Sequence, residues 1–301
     1  MICNICPRRC NIDRDKESGI CRSPNEFRLA RAALHYWEEP CISGKNGSGT
    51  IFFSGCNLGC VFCQNYEISH ENKGEPVTES ELIDIIKDLE NQGANNINLV
   101  NPTHYAVGIA KVIKKYKPSV PVVYNTSGYE RVETLKMLEG LVDIYLPDYK
   151  YIRPDKALRY SNAADYPAVV KSALKEMRRQ VPTDIFDEDG IMQKGMIIRH
   201  LILPSNTNSA TEIIDDIRSE FGNAYISLMA QYMPMGDLTK CKEIDRKISK
   251  REYKKVIDYA EAKGLTNVFV QALSSADEGY IPSFDFTGIK TQRRNIDEKV
   301  F

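Results

Sequence analysis

The stretch Thr50-Ile51-Phe52-Phe53-Ser54-Gly55-Cys56-Asn57-Leu58-Gly59-Cys60-Val61-Phe62-Cys63-Gln64-Asn65 joins an apolar, β-prone run to three closely spaced cysteines. The run reads as a strand, and the cysteines follow it directly. In parallel α/β proteins ligands bind at the carboxyl ends of strands, so this loop is where a cofactor belongs. Three thiolates spaced C-x3-C-x2-C leave one iron of a cubane [4Fe–4S] cluster without a protein ligand, because full ligation takes four. Gly55 and Gly59 let the backbone wrap closely around a bulky inorganic core. Three buried structural cysteines, or a zinc site completed from elsewhere, are the plainer alternatives.

Working outward, apolar runs recur at Ile97–Asn101, Val120–Asn125, Val142–Leu146, Met196–Leu203, Ala224–Met229 and Asn267–Gln271. Several are nearly continuous in apolar or β-branched residues, as parallel strands buried on both faces are. Helix signals lie between them. Thr78 with Glu81, Ser209 with Glu212 and Ser249 with Glu252 each fit a capping box. Leu82, Ile85, Ile86 and Leu89 share one helical face, with Gly93 placed as a C′ glycine. The alternation implies right-handed βαβ units and a parallel sheet, so the expected fold is α/β, a partial (β/α)6 TIM-like barrel over residues 50–284. A doubly wound open sheet is the alternative. Residues 285–301 are polar and mixed in charge and read as a C-terminal tail.

Residues 1–49 break the alternation and read as a cysteine-rich, metal-binding N-terminal extension. Cys3, Cys6, Cys10 and Cys21 offer four thiolates within a short span, enough for a tetrahedral zinc site or a second, auxiliary cluster. Pro7, Arg8 and Arg9 tighten this loop and are expected to lower the thiol pKa values. The remaining two of the nine cysteines, Cys41 and Cys241, read as buried structural thiols.

Composition narrows the function further. Apolar residues make up 42% and charged residues 27%, with a net charge of −1. That balance gives no global attraction for nucleic acid or an anionic membrane. The apolar runs are strand-sized, and Met1-Ile2-Cys3-Asn4 opens no apolar signal region, so the chain reads as cytoplasmic.

The C-x3-C-x-aromatic-C pattern after the first strand resembles the signature of the radical S-adenosylmethionine (SAM) superfamily. The likeness covers roughly residues 1–285. It is finest toward proteins related to pyruvate formate-lyase activating enzymes, especially their PflX-like relatives. Carrying that finer match are Ala33–Pro40, Cys63–Ser69, Asn98–His104, Tyr124–Tyr129 and Asp143–Lys150. The resemblance implies a radical SAM enzyme whose cluster cleaves SAM reductively to a 5′-deoxyadenosyl radical, which then abstracts hydrogen from a protein or small-molecule substrate. It also implies a reductant such as flavodoxin or ferredoxin, and a target that is a glycyl radical enzyme, another peptide or a metabolite.

Polar residues at successive strand ends form the expected SAM cradle: Asn101 and Thr103, then Asn125 and Ser127, then Asp148 and Lys150. The resemblance adds Arg199 as a fifth-strand arginine directed at SAM and Phe62 as the aromatic against adenine. Asp148-x-Lys150 matches the activating enzymes. Asn125 stands where they have aspartate, and the usual Gly-Gly-Glu run is absent. His104 and His200 are expected near the substrate, with Met229, Gln231, Tyr232 and Met233 lining its pocket. Turn chemistry and core packing are the plainer readings of these residues.

Overall fold

The computed structural model describes residues 2–275 and 282–289. Seven strands run parallel and in chain order: β2 (Ser48–Phe53), β4 (Ile97–Val100), β5 (Val122–Thr126), β6 (Ile144–Pro147), β8 (Met192–Leu201), β9 (Tyr225–Met229) and β10 (Val268–Val270). Each corresponds to one of the apolar runs. β1 (Phe27–His35) adds antiparallel to β2, and β3 (Glu75–Val77) antiparallel to β1. A short β7 (Ile185–Phe186) pairs with β8. Because the order never reverses, there is no switch point and the doubly wound alternative falls. Among the described residues no pairing joins β10 to β3, so the sheet is open, with seven parallel strands rather than the six expected.

Period-two alternation gives the strands two different faces. On one face Ile51, Phe53, Ile97, Leu99 and Val122 pack under α3 (Glu79–Asn91) and α4 (Ala106–Lys115). Further along, Tyr124, Tyr145, Met196, Ile198, Ile226 and Leu228 pack with α5 (Val132–Lys136), α6 (Pro154–Ser161), α7 (Tyr166–Gln180), α8 (Thr207–Phe221) and α9 (Lys250–Ala262). The opposite face is apolar where Val123, Ile144, Leu146 and Ile197 meet Cys41 and Ile42 of α1 (Pro40–Ser43). Farther along the same strands that face turns polar, at Asn125, Asp148 and Arg199.

Two of the three capping boxes form. Glu81 N donates to Thr78 Oγ1 at 3.2 Å while Thr78 N donates to Glu81 Oε2 at 2.8 Å, and Ser249 with Glu252 repeats the arrangement. Ser209 and Glu212 do not form one. Helix α8 starts earlier, with Asn206 as its N-cap, so both residues lie inside it. Gly93 adopts φ +83° behind α3, as a C′ glycine does.

The expected extension at residues 1–49 divides in two. Residues 2–26 are irregular, whereas residues 27–49 belong to the sheet: Leu34 pairs with Gly49 and His35 with Ser48. The start of the expected tail also packs, since Phe286 N donates to Ala30 O and Asp285 pairs with Arg31 at 2.8 Å. Residues 290–301 lie outside the described residues.

Behind β5 sits a buried carboxyl. Glu130 Oε1 accepts from the hydroxyls of Thr103 and Thr126, while its Oε2 is buried without a partner. Burial raises the Glu130 pKa to about 7, although the two hydroxyls oppose the shift. Because the folded pKa exceeds that of the unfolded chain, the stability this group contributes is fully present below about pH 4 and lost as pH rises through 7. Relative to Glu130→Gln, the wild type should lose on the order of 3 kcal/mol over that interval. Urea unfolding at a series of pH values checks this, and parallel pH profiles for the two proteins would contradict it.

Candidate active site

A cavity of about 220 Å³ opens at the carboxyl ends of the parallel strands. Cys56, Cys60 and Cys63 line it, together with Phe62, Asn101, Asn125, Ser127, Asp148, Lys150 and Arg199. Ten of the eleven residues predicted for the cluster and SAM, from distant parts of the chain, thus line one cavity.

The cysteine loop is held from several sides. Gly55 has φ +88°, and a Cβ there would lie 1.8 Å from Ser23 Oγ and 2.5 Å from the Cys21 carbonyl. Gly59, at φ +67°, has open space around it, so its requirement is the left-handed turn itself. Asn57 Nδ2 donates to the Tyr129 carbonyl at 2.7 Å, and Val61 N to the Tyr160 carbonyl at 2.9 Å. Arg8 reaches across from the N-terminal segment, donating to the carbonyls of Asn57 at 2.9 Å and Leu58 at 3.0 Å.

The donor set fits an iron–sulfur cluster. Burial pushes the Cys63 thiol up to about 12, with Cys56 and Cys60 adding to the shift; burial also raises Cys56. As free thiols Cys56 and Cys63 resist ionisation, and a cation among them, as metal ligation supplies, would reverse that. Lys150 also lies within electrostatic reach of Cys60 and Cys63. Among the described residues no three Cys, His, Asp or Glu side chains converge as ligands of one metal ion do. A cubane does not require such convergence, because each thiolate binds a different iron.

Beside the thiols lies a charge network built by the sheet register. Asp148 and Arg199 pair across β6 and β8, so their side chains leave the same face. Arg199 Nε donates to Asp148 Oδ1 at 3.0 Å, Nη1 to Glu38 Oε2 at 3.1 Å and Nη2 to Asn125 Oδ1 at 2.5 Å. Lys150 Nζ meets Asp148 Oδ2 at 2.7 Å. Burial alone would raise the Asp148 pKa, but Arg199 and Lys150 overcome it and hold the carboxyl below its usual range. Burial likewise opposes the charge on Lys150, and Asp148 restores it. Two carboxylates and two cations interleaved in this way complement a zwitterion. Ser127 Oγ, on the same wall, is buried without a partner.

Several expectations are corrected. Thr103 does not line the cavity: it is fully buried with its hydroxyl committed to Glu130. His104 Nε2 lies 2.8 Å from the Ser54 carbonyl, and burial drives its pKa down to about 3. His200 Nδ1 lies 2.8 Å from the Tyr149 carbonyl, and burial lowers it to about 4. Both histidines are buried structural residues outside the cavity. Of the sixth-strand group, Met229 and Gln231 line it, Met233 does not, and Tyr232 is buried with its hydroxyl on the Ile244 carbonyl.

Among the N-terminal cysteines, Cys6 and Cys21 are buried and Cys3 and Cys10 half-buried. The Cys6 pKa is raised, not lowered, to about 12: burial outweighs the Arg8 backbone amide, and the Arg8 side chain points to the cluster loop instead. Among the described residues these four thiols do not converge as the ligands of a single metal ion do. Cys41 and Cys241 are buried, as expected. Sequence reasoning missed Glu38, which accepts from Asn98 and Asn125 at 3.1 Å as well as from Arg199. Its only signal was an acidic pair, Glu38-Glu39, set in the apolar segment after β1.

Comparison with known proteins agrees with this geometry. A family model described as the radical SAM superfamily matches residues 50–192. Uncharacterized protein MJ0674 of Methanocaldococcus jannaschii is 32% identical over 277 residues, covering 89% of this chain and 76% of that protein. The crystal structure of Streptococcus suis SuiB bound to S-adenosylmethionine shares the fold, with a TM-score of 0.50 and 14% identity. That match covers 73% of this chain and 49% of SuiB, so the chain spans about half of SuiB's length. The FeFe-hydrogenase maturase HydG of Carboxydothermus hydrogenoformans aligns with a TM-score of 0.48 and 16% identity, over 77% of this chain and 56% of HydG. The chain carries a radical SAM superfamily domain over residues 50–192 and is an enzyme; the cofactors of that superfamily are a [4Fe–4S] cluster and SAM.

Proposed function

We propose that Cys56, Cys60 and Cys63 hold the cluster and that SAM occupies the adjoining cavity, with its methionyl zwitterion against Asn125, Ser127, Asp148, Lys150 and Arg199. The observation carrying this reading is the meeting of three thiols and a charge-balanced polar wall in one cavity. When bound, the cluster supplies one electron that cleaves SAM and yields an adenosyl radical able to take a hydrogen atom. The chain's own residues bind and orient. Lys150 and Arg199 face carboxylate, Asp148 and Glu38 face ammonium, and Phe62 and Leu201 cover apolar surface and exclude water. Asn101 lines the same wall, its Nδ2 donating to the Gly55 carbonyl, which steadies the loop before Cys56.

The electron is proposed to come from a small redox protein such as flavodoxin or ferredoxin. The Asp148–Lys150 pair, as in the activating-enzyme pattern of the PflX-like group, favours a glycyl carbon of a partner enzyme as the hydrogen source. Asn125, in place of that pattern's aspartate, favours a different peptide or a metabolite. A glycyl-radical EPR doublet on a partner protein separates the two. The N-terminal cysteines are proposed to hold a second metal, zinc or an auxiliary cluster. Iron and zinc analysis of anaerobically prepared protein decides between them.

Replacing Cys60 with alanine should remove the cluster iron and lower 5′-deoxyadenosine formation at least 100-fold. Cys41→Ala should keep both within about twofold, because that thiol, on α1, packs against the apolar strand face away from the cavity. Equal losses in the two variants would contradict the ligand assignment. Asp148→Asn should retain cluster iron yet weaken SAM binding about tenfold or more, the worth of a charge-assisted hydrogen bond. Equilibrium dialysis with labelled SAM measures it, and affinity within twofold of wild type would count against the cradle.

A further inference from the structure

The last turn of α6 lies against the cysteine loop, and it brings a hydroxyl onto one of the three sulfurs. Ser161 Oγ is 3.2 Å from Cys60 Sγ, and both residues are buried. The approach is fixed by neighbours on either side of the serine. The Tyr160 carbonyl accepts from Val61 N at 2.9 Å, and the Ser161 carbonyl accepts from Arg8 Nη2 at 2.8 Å while Arg8 also holds Asn57 and Leu58. Behind the serine, the Tyr151 hydroxyl lies 2.8 Å from Ser161 Oγ, also buried.

Proton counting gives this chain a direction. A cysteine ligating iron is a thiolate with no proton, so it can only accept. Serine has a single hydroxyl proton, which goes to the sulfur. With that proton on the sulfur, the Tyr151 phenol, which also lies within reach of Cys60, donates to Ser161 Oγ, and each donor polarises the next. The other two sulfurs have donors of their own. Cys56 receives the amides of Leu58, at 3.4 Å, and Gly59, and Cys63 receives the Ser69 hydroxyl, which also reaches His70 Nδ1 at 2.8 Å.

We propose that Ser161, backed by Tyr151, is a positioning residue that raises the reduction potential of the cluster by hydrogen-bonding the Cys60 sulfur. The inference rests on the reading of Cys60 as a cluster ligand. Reduction adds negative charge that spreads onto the sulfur ligands, so a donor aimed at one of them stabilises the reduced state more than the oxidised one. Seclusion from water makes that difference larger than it would be at the surface.

The test is an EPR-monitored redox titration of the anaerobically reconstituted full chain, comparing wild type with Ser161→Ala, Ser161→Thr and Tyr151→Phe. In Ser161→Ala the ratio of reduced to oxidised cluster at a fixed potential should fall about tenfold, about 59 mV for a one-electron couple. Tyr151→Phe should shift the potential the same way by less, and Ser161→Thr should restore it. A wild-type potential in Ser161→Ala at full iron content would overturn the proposal while leaving the cluster assignment intact. If Ser161→Ala fails to load iron, Tyr151→Phe decides, and an unchanged potential there also overturns it. A wild-type protein that binds no cluster would sink the functional reading and this inference with it.

Discussion

Burying three thiols side by side at the ends of parallel strands is the constraint on which the rest of the structure depends. Burial makes the Cys56 and Cys63 thiols resist ionisation, and neighbouring thiolates would repel one another. A loop carrying such a set collapses or splays unless its backbone is held from outside. Here the restraint comes from Arg8, which ties down the carbonyls of Asn57 and Leu58, from Asn57 on Tyr129, and from the end of α6. The N-terminal segment therefore acts on the loop mechanically through one guanidinium.

A second constraint is charge. Asp148, Lys150, Arg199 and Glu38 are all largely shielded from water, where an unpaired ion is costly. Their balance lets the wall remain buried without ligand, while each member has an exchange partner in a zwitterion. The sheet register places Asp148 beside Arg199, and the two-residue step to Lys150 returns to the same face. Apolar packing under α1 on the deeper part of that face keeps the strands fixed while their ends carry charge.

Much of this was legible in the sequence, and the exceptions have physical causes. The strands stood out because β-branched runs buried on both faces have few other readings. β1 was hidden because Ala30, Ala32 and Ala33 blur its alternation and the cysteines beside it suggest a separate unit. Ser209 and Glu212 have the spacing of a capping box, but Asn206 starts the helix sooner. Thr103 follows a strand as a cradle residue should, yet the turn after β4 directs it to Glu130, away from the cavity. Glu38 shows only an acidic pair in an apolar segment, and Ser161 carries no local signal at all. Each acquires its role from contacts across at least 60 residues of chain, which only the fold creates.

The central claim is an iron with an open position beside a zwitterion-binding wall. Electron–nuclear double resonance on the reduced, SAM-loaded enzyme, with nitrogen-15 in the methionyl amino group, addresses it most directly. Hyperfine coupling between the cluster and that nitrogen is the expected result. A reduced cluster with SAM bound but no such coupling would contradict the account.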